Sequence, residues 1–413
     1  MNPYNYASQI PELPTIPPLL RDIIGVIVIS TFLLLIAIVL IWLMRKVIAR
    51  MQKRVGPNRV GGRYGLLQPV ADVLKLLSKE QITPAGADRL AYELAPILIV
   101  VASLLVWAVM PFGPGLIGVD LNIGLFYILA VSSVSVVTFL LAGWGSNNKY
   151  ALLGAFRAVA QLVSYEVPFI LATLIPILLA RSMSTVTIIE SQTVPYLFVV
   201  PLAAVIFFIS ALAETGTTPF DLLEAESEIV AGFHIEYSGM KFAMFFLAEF
   251  LGALFMSALF STVFLGGWNI PLINLVISLF GGQPIDLAAM GIGGTLIGLI
   301  VFLAKTFLIY FVFLWIRATW PRVRVDQILS LNWKTLVPIS LVLILVIAIL
   351  DKMIPDGTNE LVRGGILLAS NILIAFGALE IMRRNARRQR ALTMDSRLVD
   401  SGTQEVAEAT PLH

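Results

Sequence analysis

The chain contains no cysteine. That excludes disulfides, thiolate metal sites and any iron–sulfur cluster ligated by this protein. It has two histidines, His234 and His413, too few for a conventional metal centre. Charged residues make up 13% of the sequence, where a water-soluble domain carries roughly 25%. A chain of 413 residues with so little charge could not cover itself with polar surface. The first twenty residues, "MNPYNYASQIPELPTIPPLL", lack the basic start and short apolar core of a removable signal and read instead as a polar, proline-rich leader.

What the chain has in abundance is apolar sequence: 58% hydrophobic residues and a mean hydropathy of +0.90. Its natural solvent is a bilayer. A spanning helix takes about 20 apolar residues, and about nine stretches qualify: 23–44, 94–111, 123–143, 159–180, 195–213, 242–265, 292–316, 335–350 and 361–381. "NIPLINLVISLF" (269–280) is too short and reads as interfacial. The expected architecture is an all-α, polytopic membrane bundle spanning 23–382. Leader 1–22 precedes it, and a basic tail, then a polar one expected to be disordered, occupies 383–413. Lys and Arg fall overwhelmingly in alternate connections. Only Arg21, Arg181, Lys352 and Arg363 flank the spans on the other side. By the positive-inside rule the N-terminus is then outside and the C-terminus cytoplasmic.

Against that rule, the connection "PFDLLEAESEIVAGFHIEYSG" (219–239) is acidic. It carries Asp221, Glu224, Glu226, Glu228 and Glu236, with Glu214 just before it, and no basic residue precedes Lys241. On a helix Asp221, Glu224 and Glu228 share a face. Carboxylates so close raise one another's pKa and share protons, which is what a proton relay at a membrane boundary needs. A solvated acidic loop is the plainer alternative, and the interleaved apolar residues speak against it. Three further ionisable groups sit inside spans: Glu166, Glu249 and Lys305. Such groups cost about 2.5–3.5 kcal/mol on insertion scales and face a bundle interior or a cavity. A structural ion pair, for instance between Lys305 and a carboxylate, is the competing reading. In the long connection after the first span, Val70, Leu74 and Leu77 share one helical face, away from Asp72, Lys75 and Lys79. That pattern fits an amphipathic helix lying in the interface. Gly294 and Gly298 have the spacing of a helix-packing pair.

Five segments in order, "RVGPNRVGG", "GLLQPVADVLKLLSKE", "SNNKYALLGAFRAVAQLVSYE", "PFDLLEAESEIVAGFHIEYSG" and "WIRATWPRVRVDQILSLNWK", resemble the H subunit of respiratory complex I, the proton-pumping NADH:quinone oxidoreductase. The resemblance runs from about Arg45 to Trp333. It implies a multi-pass subunit of the bacterial plasma membrane that forms the membrane part of the quinone chamber and works with the other subunits of the complex. Quinone, ubiquinone or menaquinone, is then a substrate, and flavin and iron–sulfur clusters belong to partner subunits. Arg45, Asp72, Lys75, Phe245, Phe246 and Arg317 would border the quinone channel. Arg157, Glu166, Glu214, Asp221, Glu224, Glu226, Glu228, Glu249 and Lys305 would form the proton relay that couples quinone chemistry to translocation. Arg322, Arg324 and Asp326 occupy the last cytoplasmic loop.

The chain departs from the family pattern at Met44, where Glu is common, and at Gly216 and Thr217, where Asn and Arg usually stand. Leu223 also replaces a common small residue or proline. Without that arginine the acidic cluster loses its local counter-charge. Two alternatives remain open at the level of sequence: the equivalent subunit of a membrane-bound hydrogenase or formate hydrogenlyase, and a stand-alone proton-coupled transporter. No inverted repeat is detectable, which weighs against the transporter.

Overall fold

A computed structural model describes residues 18–221, 231–280, 283, 285–355 and 360–408. The described residues are helical, with no β-sheet beyond one isolated bridge between Gly113 and Leu116. Eight stretches are long and apolar enough to cross a membrane. They are built from α1 (Pro18–Met51), α3 (Arg89–Leu105) with a short 3-10 turn, α4 (Gly124–Ser132) followed by α5 (Val134–Gly145), and α6 (Lys149–Ala180). The others are α10 (Gly239–Phe264), α12 (Gly291–Thr319), α13 (Val325–Leu331) continued by α14 (Val337–Met353), and α15 (Glu360–Glu408), whose apolar part ends at Arg384. Short helices link them: α2 (Gln68–Ser78), α7 (Thr185–Glu190), α8 (Tyr196–Val199), α9 (Pro201–Glu214) and α11 (Pro271–Leu279).

The expected span at 195–213 is split. Pro201 disfavours a helical conformation in the residue before it, and Val200 adopts φ −131°, ψ 62° between α8 and α9. The 14 residues of α9 rise about 21 Å, short of the roughly 30 Å hydrocarbon core. The amphipathic helix expected near 69–79 is α2. Its apolar side chains Val70, Leu74 and Leu77 are exposed, free to meet lipid.

Outward-facing apolar residues mark most spans, as on α1, where Val26, Ile27 and Val28 are exposed. In a bilayer such residues need no protein cover. At the centre, α10 is buried along most of its length from Ala248 to Phe264 and packs against α3 and α12. Gly294 and Gly298 allow the close approach their spacing suggests. A Cβ on Gly294 would lie 1.8 Å from the Leu287 carbonyl oxygen, and one on Gly298 2.7 Å from the Pro114 ring.

Prolines inside spans free the carbonyl four residues earlier. With no water available, another donor must satisfy it. Pro96 in α3 frees the Tyr92 carbonyl, which accepts from the Tyr237 hydroxyl at 3.2 Å. Pro168 in α6 frees the Ser164 carbonyl, which accepts from Asn332 Nδ2 at 2.5 Å. These two bonds tie the loop-rich end of the bundle to its spans.

Candidate functional site

The loop-rich end carries most of the basic connections. There the loop after α1 is folded back by two side-chain bonds. Trp42 Nε1 donates to the Tyr64 carbonyl at 3.0 Å, and Lys46 Nζ to the Pro57 carbonyl at 2.6 Å. α2 then lies across the end of α1, fixed by an ion pair of 2.8 Å between Arg45 and Asp72. Gln68 Nε2 also donates to Asp72, at 3.3 Å. Lys75, on the same helix, is exposed.

Beside this end lies a cavity of about 140 Å³ enclosed by α3, α4, α5, α10, the turn after α9 and the 3-10 turn Gly232–His234. Its wall is mainly apolar and includes Phe139, Phe233, Phe242, Phe245, Phe246 and Phe255, and two carboxylates, Glu214 and Glu249, reach it. Chain geometry sets this wall. The Gln161 amide donates to the Ala213 and Phe220 carbonyls, at 2.7 and 2.8 Å, and so holds the turn that ends α9. Gly154 lets the Gly232 backbone come within 2.8 Å of where a Cβ would stand. That contact seats the 3-10 turn against α6.

Glu249 accepts a hydrogen bond from Arg317 Nη1 at 3.1 Å, across α10 and α12. Glu214 keeps one carboxylate oxygen, Oε2, buried without a hydrogen-bond partner. Glu166 lies on α6 within electrostatic range of Glu214 and accepts from the Ser133 hydroxyl at 2.5 Å. Ser133 is the single non-helical residue between α4 and α5. Asp221 is in electrostatic range of Glu249 and has a buried, unpaired Oδ1. The Val323 amide donates to the Pro219 carbonyl at 3.1 Å, which brings the last loop against this turn; Arg322 there has buried, unpaired Nε and Nη2 atoms.

The structure therefore gathers Glu214, Glu249, Phe245 and Phe246 on one cavity, with Arg317 joined through Glu249 and Glu166 adjoining. Arg45, Asp72 and Lys75 form a separate group on α1 and α2. Arg157 is half-buried on α6, and Glu224, Glu226 and Glu228 lie outside the described residues. Lys305 is not with the others. Its ammonium donates to the carbonyls of Leu265, Gly267 and Asn269, at 2.7, 2.9 and 2.5 Å, beyond the far end of α10. The carboxylate partner considered for it is replaced by backbone oxygens left free where that helix ends. Thr217, at the position where an arginine was missed, is buried, with its hydroxyl 3.2 Å from that of Thr215.

Sequence reasoning missed His234, Phe233, Phe242, Ser132 and Ser135 on the cavity wall. The only signal was the aromatic pair inside "GFHIEYSG", since Phe occurs 24 times in the chain and does not single out one wall. Tyr92 and Tyr237 stack at 4.2 Å below this wall, and Lys241 sits over the Tyr92 ring while pairing with Glu93 at 2.5 Å.

A family model described as NADH dehydrogenase matches residues 24–348. The chain belongs to that family. Within the family it is 42% identical over 362 residues to the NADH-quinone oxidoreductase H subunit of Dehalococcoides mccartyi (strain CBDB1), covering 88% of this chain and 94% of the relative. The H subunit of the Geobacillus kaustophilus oxidoreductase is 48% identical over 306 residues, 74% of this chain and 86% of its own. That of Anaeromyxobacter dehalogenans is 44% identical over 367 residues, 84% and 86% of the two chains. The family match spans the cavity, the Arg45–Asp72 pair and the last loop, and ends within α14.

Proposed function

We propose that this chain is the membrane subunit of a proton-pumping NADH:quinone oxidoreductase, that its cavity is the membrane part of the quinone chamber, and that its carboxylates couple quinone reduction to proton translocation. The observation that carries this reading is the phenylalanine-rich cavity with Glu214 and Glu249 on its wall, Arg317 hydrogen-bonded to Glu249 and Glu166 within electrostatic range of Glu214. Flat apolar head groups suit aromatic walls. In this reading the basic, loop-rich end faces the cytoplasm, following the Lys and Arg asymmetry, and binds the subunits that hold flavin and iron–sulfur clusters. Those groups supply the electrons.

Everything else falls to the residues of this chain. Reduction adds negative charge in the cavity and then calls for protons. Glu249, balanced by Arg317, and Glu214, with an unpaired oxygen, stand where that charge develops. In a site of low dielectric a new charge is felt strongly. A shift of proton or position at Glu214 is passed to Glu166, which Ser133 holds in place. Asp221 links Glu249 to the acidic connection, where Glu224, Glu226 and Glu228 extend the relay. Arg45, Asp72 and Lys75 border the way in from the membrane, beside the exposed apolar face of α2.

The test is to purify the detergent-solubilised assembly through a tag on this chain and label it with a photoreactive short-tailed quinone. We expect a large complex containing flavin and iron, with label on peptides from 231 to 256 that unlabelled quinone competes away. A chain that purifies alone overturns the reading in favour of a transporter. A complex with no extractable quinone and no label favours the hydrogenase-type subunit.

A further inference from the structure

We propose that Ser133 is a positioning residue that serves Glu166 in both of its charge states. Its hydroxyl donates to the ionised carboxylate; it accepts from the protonated one and then turns its own hydrogen to the Leu129 carbonyl. This rests on the reading of Glu166 as a member of the proton relay and gives that residue a partner with a defined part.

A relay residue inside a span has to be stable both with and without its proton. In water the solvent serves both forms; inside a bundle the protein must do so. Glu166 lies within the 32-residue helix α6 and is half-buried. Among the described residues the Ser133 hydroxyl is its hydrogen-bond partner, at 2.5 Å, the length of a charge-assisted bond between a hydroxyl and a carboxylate. The same hydroxyl lies 3.0 Å from the Leu129 carbonyl, one turn earlier in the chain. A hydroxyl has one hydrogen, so these two contacts cannot both be donations at once. With Glu166 ionised, the hydrogen points to the carboxylate. With Glu166 protonated, the acid donates to Ser133 Oγ and the hydrogen of Ser133 goes to Leu129.

The Leu129 carbonyl lets this exchange happen without stranding a polar group. Ser132 Oγ reaches it at 2.9 Å and the Ser133 amide at 3.3 Å. An oxygen with two lone pairs therefore has three donors in reach, and the loss of one leaves it satisfied. In an apolar interior an unpaired oxygen would oppose the switch. The location fits the task. Ser133 stands at the break between α4 and α5, and α5 packs on α6. No ionisable side chain occurs on α5, while α9 brings Glu214 within electrostatic range of Glu166. Glu214 keeps its Oε2 buried without a partner. Of these two carboxyl groups, Glu166 is the one whose negative charge meets a hydroxyl. A proton that moves from Glu166 to Glu214 thus leaves its charge where a donor already stands.

The test uses the assembled complex, reconstituted in vesicles and driven by NADH and a short-tailed quinone. Redox-induced infrared difference spectra report carboxyl groups that gain or lose a proton, and the signal missing from Glu166→Gln belongs to Glu166. Ser133→Ala removes the donor to the anion. The ionised share of Glu166 should fall about ten- to 150-fold, as for loss of one hydrogen bond to a charged group. Its difference signal should therefore collapse, and proton translocation should drop to the level of Glu166→Gln. Ser133→Thr keeps the hydroxyl and should restore both. Added to Glu166→Gln, Ser133→Ala should cost little more. Where the alanine variant does not assemble, Ser133→Cys, close in size but only a weak donor, should show the same losses. A Glu166 signal unchanged in an assembled Ser133→Ala or Ser133→Cys complex overturns the proposal, as do strictly additive losses with Glu166→Gln. If Glu166→Gln is impaired while these serine variants are neutral, only the role of Ser133 falls. If Glu166→Gln is itself neutral, the relay reading of Glu166 falls and the proposal with it.

Discussion

Gly252 offers a sharp perturbation of the cavity. It lies inside α10, lines the cavity, and a Cβ placed on it would meet nothing within 4 Å. Gly252→Ala therefore adds a methyl group to open space while removing an interior helix glycine. Helix propensity alone favours alanine there by about 0.8–1.0 kcal/mol. Gly252→Leu adds four carbons to a space of about 140 Å³, so a head group and the side chain compete for the same volume. Overpacking of this kind costs roughly 1–3 kcal/mol, and with about 1.4 kcal/mol per factor of ten quinone affinity should fall about five- to 150-fold. Stability and affinity should thus move in opposite directions along the series glycine, alanine, leucine. The assay is NADH-driven reduction of a short-tailed quinone by the purified complex. Assembly is checked on a native gel, and electron transfer to a water-soluble acceptor that bypasses quinone serves as control. An unchanged KM in a fully assembled Gly252→Leu complex would refute the placement of quinone in this cavity. A less heat-stable Gly252→Ala complex would refute the open geometry around the residue.

Four other expectations follow from the same contacts. Arg317→Met leaves Glu249 without its cation in the bundle and should cost about 3–5 kcal/mol; adding Glu249→Gln should recover part of that, and additive losses in denaturation would refute the pairing. Lys305→Met removes three donors at the end of α10 and should lower the heat stability of the complex while the quinone KM stays put; a KM rise matching that of Gly252→Leu would refute a purely structural role for Lys305. Glu228→Gln and Asp221→Asn should each depress quinone reduction and proton translocation together, and the double variant should be no worse than the more damaging single one; strictly additive losses would sink the idea of a shared relay. Burial, then Asp120 and Asp286, raise the Glu190 pKa from 4.5 to about 7, so the fold binds that proton more tightly than the unfolded chain does. The stabilisation is full below about pH 4.5 and lost as pH rises to about 7. Glu190→Gln should flatten thermal stability over that window and raise it above pH 7, and an unaltered pH profile would exclude the effect.

The spans and the carboxylates were legible in the sequence for related reasons. A bilayer admits only long apolar helices, so runs such as 242–265 announce α10 without reference to any partner. Charge in such a run is conspicuous, so Glu166 and Glu249 stand out for the same reason. Contacts made by ordinary residues leave no such mark. The split at Val200 follows from Pro201, yet the apolar run 195–213 passes through it unbroken, and composition alone reads one crossing. The partners that satisfy proline-freed carbonyls are Tyr237 and Asn332, 145 and 168 residues away from their acceptors. A backbone oxygen as acceptor has no residue type to search for, which also hid the partner of Lys305. Its charge was visible, but three carbonyls at a helix end were not. The cavity wall was hardest of all. α10 carries phenylalanines around most of its circumference, and nothing in their spacing says that Phe242, Phe245 and Phe246 line the cavity while Phe250, Phe260 and Phe264 fill the core. The side of α10 that faces open space is set by the glycine contact between Gly154 and Gly232 and by the turn that Gln161 holds. Those constraints act from α6, outside the acidic segment itself. A sequence reading centred on charge therefore finds the carboxylates and leaves unseen the cavity that two of them line.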